Sequence, residues 1–141
     1  MNLKTDEGAG FDRYTRKGQW TVLCFYPKAE TPGCTRHACA FRDGIAQMRL
    51  QGAELFGVSA DGVRALQKFK ANHKLNFTLL ADPGLDAIKR YGAKMPILSM
   101  SKRWTSIIDP DLRIRAIEKD VDPVLDAKRV AEMLKELKKG T

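Results

Sequence analysis

Two cysteines stand five positions apart in FYPKAETPGCTRHACAFRD, residues 25 to 43, directly after an apolar run. A thiol reacts as its thiolate, and an ordinary Cys, with a pKa of about 8.5, is mostly protonated at neutral pH; a helix N-terminus or a nearby cation lowers that value. Thr31-Pro32-Gly33 interrupts regular structure just before Cys34, and Ala38, Phe41, Ile45 and Met48 then recur at helical spacing. Cys34 is therefore expected in the first turn of a helix, where unpaired N–H groups and the macrodipole stabilise a thiolate and an anionic oxygen beside it. Thr31 brings a hydroxyl towards the same spot, and Pro32 stiffens the loop without adding a donor. Such a site suits a small, oxygen-rich substrate.

In a regular helix, five residues separate the Cα atoms of Cys34 and Cys39 by about 8.6 Å, whereas a disulfide needs less than about 7 Å. If the two pair, the first turns must unwind, and the chemistry would carry a switch between a folded dithiol and a locally unfolded disulfide. The plainer alternative is that both are ordinary small buried residues. A metal site completed by His37 is not expected, because these positions do not converge on one face of a helix and no fourth ligand is evident. Cys24, inside the preceding apolar run, reads as core.

These residues need a scaffold, and the hydrophobic pattern supplies one. WTVLCFY, residues 20 to 26, reads as a central strand covered on both faces, and AELFGVSA, residues 53 to 60, as a second. Asp61 is placed as N-cap of a helix from Val63 to about Asn72. A third strand covers Phe77 to Ala81, and a short helix runs from Pro83 to Tyr91, ended by Gly92. Met95 to Lys102 is a loop, and strands Thr105 to Asp109 and Ile114 to Glu118 flank a Pro110-Asp111 turn. Asp126 to Lys139 carries Val130, Met133, Leu134 and Leu137 on one stripe and reads as an amphipathic helix laid on the sheet. Alternating strands and helices predict a three-layer α/β domain formed by residues 1–141 as one unit.

The composition agrees: 141 residues with 43% hydrophobic content are enough for one packed core. The N-terminus has charges where a secretory signal would be apolar, and no apolar run approaches the roughly 20 residues that span a membrane, so a soluble, cytoplasmic protein is expected. Three cysteines are too few for a disulfide scaffold. The net charge of +8 raises nucleic acid as a partner. However, the basic residues are scattered, and the densest group, Lys128, Arg129, Lys135, Lys138 and Lys139, falls on the polar face of the last helix. Neither a nucleic-acid nor a membrane partner is expected.

The cysteine segment closely resembles the active-site segment of the peroxiredoxins, in particular the peroxiredoxin Q or bacterioferritin comigratory protein subfamily. The pattern P-x-x-x-T-x-x-C is present as Pro27, Thr31 and Cys34, joined to PGCT and to the second cysteine. The likeness continues through GVSADGVRALQKFKANHKLNFTLLADP, residues 57 to 83, and ends at Arg103 and Thr105 before IID. The resemblance implies a thioredoxin-like fold, with a central mixed β-sheet and helices on both faces, and a thiol peroxidase. It implies Cys34 as the peroxidatic cysteine and Cys39 as the resolving one. Thr31 and Arg103 would orient the peroxide, Gly33 would line the substrate site and Pro27 would shield it. It further implies thioredoxin or glutaredoxin as reductant, no cofactor, and a monomer.

Four features depart from the subfamily pattern. His37 stands where Glu is usual. Trp104 and Ser106 flank Thr105 with bulk on the opposite side from usual, the stretch from Gly92 to Arg103 is short, and the N-terminal edge hairpin is abbreviated. A thiol-disulfide oxidoreductase or redox sensor would use the same cysteine pair without needing Thr31 or Arg103, and an inactive homologue is a third reading.

Overall fold

The computed structural model describes residues 3–139. Its elements in chain order are β1 (Leu3–Thr5), β2 (Gly10–Phe11), a 3-10 turn at Arg13–Arg16, β3 (Trp20–Phe25), α1 (Pro32–Leu50), β4 (Ala53–Ser59), α2 (Val63–His73), β5 (Thr78–Ala81), α3 (Asp86–Arg90), β6 (Trp104–Ile108), β7 (Ile114–Glu118) and α4 (Asp126–Lys139). The seven strands form one mixed sheet in the order β2-β1-β5-β4-β3-β6-β7. β3, β4 and β5 are parallel neighbours, while β6 and β7 on one side and β1 and β2 on the other are antiparallel.

β3 lies inside the sheet because its residues leave no polar face: all six are buried. Its pleat divides them between two cores. Val22 and Cys24 point into the core that α1, α2 and α4 share through Phe41, Met48, Leu66, Phe69, Val130 and Leu134. Leu23 and Phe25 point the other way, towards Leu3, Phe56, Ile88 of α3 and Tyr91. Helices therefore cover both faces, as the sequence predicts. Phe41 and Met48 are almost fully enclosed; burial of such side chains stabilises by about 2–3 kcal/mol each and clamps α1 to the sheet.

Three local expectations need correction. Asp61 does not cap α2: the N-cap is Gly62, with no side-chain bond. The Asp61 carboxylate instead accepts the Ala29 N–H at 2.8 Å and the Ser59 hydroxyl at 2.7 Å. The helix expected from Pro83 starts only at Asp86, because the buried Asp82 carboxylate takes the N–H groups of Asp86 and Ile88 and leaves Pro83-Gly84 as a turn. The last two strands form the predicted hairpin, but the first begins at Trp104, where its ladder with β3 starts opposite Phe25.

The N-terminal hairpin is short, with three residues pairing two. Two of the basic residues on α4 are locally neutralised, Arg129 by Glu118 and Lys139 by Glu136. Among the described residues no helix is long and apolar enough to cross a membrane.

Candidate active site

Hydrogen bonds to α2 and its flanking residues hold the loop between β3 and α1. Its backbone is pinned at Ala29 by Asp61. Glu30 adopts a left-handed φ of 67° and is tied to α2 through His73 Nε2 and Asn72 Nδ2, each at 3.3 Å. Pro27 is half-buried in the bend that leaves β3. Thr31 takes the N-cap position of α1 with extended backbone but makes no side-chain cap bond; its hydroxyl donates to the Lys28 carbonyl at 2.7 Å. Pro32 sits at the start of α1, where its missing N–H costs nothing. Cys34 follows as the third helical residue, in the first turn as expected, and only 2% of it is exposed.

Arg103 meets Cys34 from the far side of the sequence. The chain from Ala93 to Lys102 doubles back through a Lys94 to Ser101 bridge and a Met95 N–H bond to the Met100 carbonyl at 3.0 Å. That closed loop delivers Arg103 to the head of β6. Its Nη2 donates to Cys34 Sγ at 3.3 Å. Gly33 is what permits the approach: a Cβ there would stand 3.1 Å from Nη2. A charged donor and the first turn of a helix thus both face this one sulfur.

Behind Arg103 lies a buried chain of hydrogen bonds. Its Nη1 donates to His37 Nδ1 at 3.1 Å. A guanidinium only donates, so Nδ1 accepts and the imidazole proton resides on Nε2. That N–H points at Asp126 Oδ2, 2.7 Å away, which also accepts the Thr105 hydroxyl at 2.7 Å. His37, Thr105 and Asp126 are each 1% exposed. Cys24 Sγ lies 3.5 to 3.6 Å from both ring nitrogens, and burial, then the Asp126 charge, holds its thiol well above the ordinary range.

Cys24, His37 and Asp126 offer three donor atoms within 4.8 Å of one another. A cation there would need the Nε2 lone pair, which the tautomer set by Arg103 has filled with a proton, and it would face the guanidinium charge. The set fits a proton-ordered relay better than a metal centre.

Cys24, Cys34 and Cys39 are all free thiols. Cys39 lies off the buried stripe of α1 and is half-exposed. On the inner side of Cys34 the packing leaves a cavity of about 10 Å³ between residues that include Cys24, Tyr26, Phe41 and Phe77. That is room for about one water, so the inner side of Cys34 is closed to anything larger.

The structure therefore brings Cys34, Gly33 and Arg103 together, with Pro27 and Thr31 in the loop that carries them. The Thr31 hydroxyl proton is committed to the Lys28 carbonyl, which leaves the oxygen lone pairs as acceptors. The buried hydrogen-bond chain is not legible in the sequence. Its only visible signals were His37 in place of Glu and Thr105 in R-x-T; nothing marked Asp126 as their partner.

Residues 1–117 match the model of the AhpC/TSA family. A Coxiella burnetii protein named as a peroxiredoxin of the bcp type is 40% identical over 107 residues, covering 76% of this chain and 71% of that one. The chloroplastic peroxiredoxin Q of Oryza sativa subsp. japonica is 37% identical over 110 residues, covering 77% of this chain; the match spans only 51% of the rice protein. Among solved structures, peroxidoxin BcpB of Mycobacterium tuberculosis superposes with a TM-score of 0.88 at 28% identity, over 96% of this chain and 92% of that one. Peroxiredoxin Q of Xanthomonas campestris superposes with a TM-score of 0.90 at 25% identity, over 96% and 90%. The α/β sheet described above thus has the thioredoxin-like fold of these proteins.

Proposed function

The chain belongs to the AhpC/TSA family, on the peroxiredoxin Q and bacterioferritin comigratory protein branch of the peroxiredoxins, which are thiol peroxidases; from that premise we propose that it reduces hydrogen peroxide and organic hydroperoxides through Cys34. The observation that carries the assignment is the Arg103 guanidinium 3.3 Å from the sulfur of a first-turn cysteine.

In the first step the Cys34 thiolate attacks the distal peroxide oxygen. The O–O bond breaks, and the leaving oxygen departs as water or an alcohol after taking a proton. Arg103 favours both the thiolate and the developing negative charge, because its guanidinium stays charged and presents several donors. Thr31 accepts from the peroxide O–H, Gly33 leaves room for Arg103, and Pro27 shields the pocket. Cys34 is left as a sulfenic acid.

Cys39 then condenses with it, forming the Cys34–Cys39 disulfide and releasing water. A regular helix holds the pair too far apart, so the first turns of α1 unwind at this point. Thioredoxin, glutaredoxin or a similar external dithiol returns both thiols by exchange. The protein acts as one domain and as a monomer, as an antioxidant in the reducing cytoplasm, without cofactor, nucleic acid or membrane.

Steady-state peroxide consumption with thioredoxin, thioredoxin reductase and NADPH tests this. Turnover that Cys34→Ser abolishes supports it. Absent turnover alongside rapid exchange of the dithiol with a protein disulfide would transfer the cysteine pair to a redox carrier or sensor.

A further inference from the structure

We propose that His37, anchored by Asp126, is a positioning residue that holds Arg103 on Cys34 through a neutral acceptor, so that the guanidinium keeps its charge for the thiolate. This inference rests on Cys34 as the reacting thiol.

The geometry fixes the polarity of the whole chain. Arg103 donates with Nη2 to Cys34 at 3.3 Å and with Nη1 to His37 at 3.1 Å, so two of its nitrogens are fixed by residues on the same turn of α1. His37 cannot rotate away, because its other nitrogen is bound to Asp126 at 2.7 Å and both side chains are 1% exposed. Asp126 in turn is held at the N-terminal end of α4 and by Thr105 of β6. Arg103 immediately precedes Trp104, where β6 begins. The relay therefore ties α1, α4 and β6 to one orientation of one guanidinium.

Its charge pattern is specific too. A carboxylate at position 37 would lie against Arg103 and offset the charge that faces Cys34. Here the carboxylate stands one imidazole further back, and a neutral ring touches the guanidinium. Among the described residues, the titratable groups set against Arg103, His37 and Cys34 include Asp126 and Cys24, with Tyr26 beyond Cys24. Burial keeps the Cys24 and Tyr26 groups protonated at neutral pH, and neither adds a competing negative charge.

The test is the pH profile of Cys34 alkylation by iodoacetamide, followed by peptide mass in the full chain, with a thermal melt for each variant. His37→Leu removes the acceptor, and the thiolate midpoint rises. His37→Gln restores it, because the side-chain carbonyl accepts from Arg103 while the amide donates to Asp126. Combining His37→Glu with Asp126→Asn keeps one carboxylate but moves it beside Arg103, and the midpoint rises by about one unit.

A Gln variant that fails to restore the profile, or an exchanged pair with the wild-type midpoint, overturns the inference. So does a Leu variant that melts earlier with an unchanged midpoint, which would mark His37 as structural only. If His37→Leu does not fold, the Gln variant and the exchanged pair carry the test. A His37-dependent profile in a chain without peroxide turnover overturns the peroxidase assignment alone; turnover with a His37-independent profile overturns this inference alone.

Discussion

Gly33→Ala separates the chemistry of the site from its stability. The added Cβ would lie 3.1 Å from Arg103 Nη2 and 3.9 Å from Cζ. Ordinary contact between such atoms is about 3.5 Å or more, so the guanidinium must retreat by roughly half an ångström. Nη2 now stands 3.3 Å from the Cys34 sulfur. At an effective dielectric of about 20, lengthening that separation to about 3.8 Å weakens the charge interaction by about 0.7 kcal/mol, a threefold loss of thiolate stabilisation. The fold should respond in the opposite sense. Gly33 lies in the first turn of α1 and has no positive φ, so alanine fits the backbone and stabilises by about 0.4–1 kcal/mol. Stopped-flow peroxide reaction, Cys34 thiolate titration and urea unfolding read the three quantities. The expected result is a severalfold slower reaction in a protein at least as stable as wild type. An unchanged rate, or a slower rate explained by lost stability, would mean that Gly33 does not set the distance from Arg103 to Cys34.

Two further outcomes follow from the same network. Unwinding the first turns of α1 must pull His37 off Asp126, and a hydrogen bond to a buried charge is worth about twice a neutral one; Asp126→Asn should therefore speed Cys34–Cys39 bond formation roughly fivefold, measured by stopped-flow quench after peroxide. Cys24 titrates well above its ordinary range because of burial. Its contribution to stability is full below the unfolded-state pKa of about 8.5 and falls as pH rises beyond it, where only the unfolded thiol ionises. Urea unfolding of wild type and Cys24→Ala between neutral and strongly alkaline pH should show that wild type loses more stability over this window.

The parts of the site visible in the sequence were those built locally. Thr31-Pro32-Gly33 and the apolar spacing from Ala38 to Met48 fix where α1 begins, and hence where Cys34 sits, within a few residues of chain. The nearly unbroken apolar run of β3 likewise announces a strand buried on both faces. What failed depended on distant partners. Asp61 has the right type and place to cap α2, but the Ala29 N–H arrives from 32 positions upstream and takes its carboxylate. Asp82 reaches forward to the amides of Asp86 and Ile88 and shifts the start of α3. His37 and Asp126 are 89 positions apart, and no periodicity or motif links them. Arg103, 69 positions from Cys34, was found through family resemblance, since its own neighbourhood reads only as a loop entering a strand.

The peroxidase mechanism requires that Cys34 take the peroxide oxygen and that Cys39 then bond to the Cys34 sulfur, releasing water. Intact mass and peptide mapping after one equivalent of hydrogen peroxide test it directly, on reduced wild type and on the Cys34→Ser and Cys39→Ser variants. Wild type should lose two hydrogens through a Cys34–Cys39 bond, Cys39→Ser should stop at a sulfenic acid on Cys34, and Cys34→Ser should stay reduced. A wild-type chain that remains reduced, or a bond that involves Cys24 instead, would contradict the account.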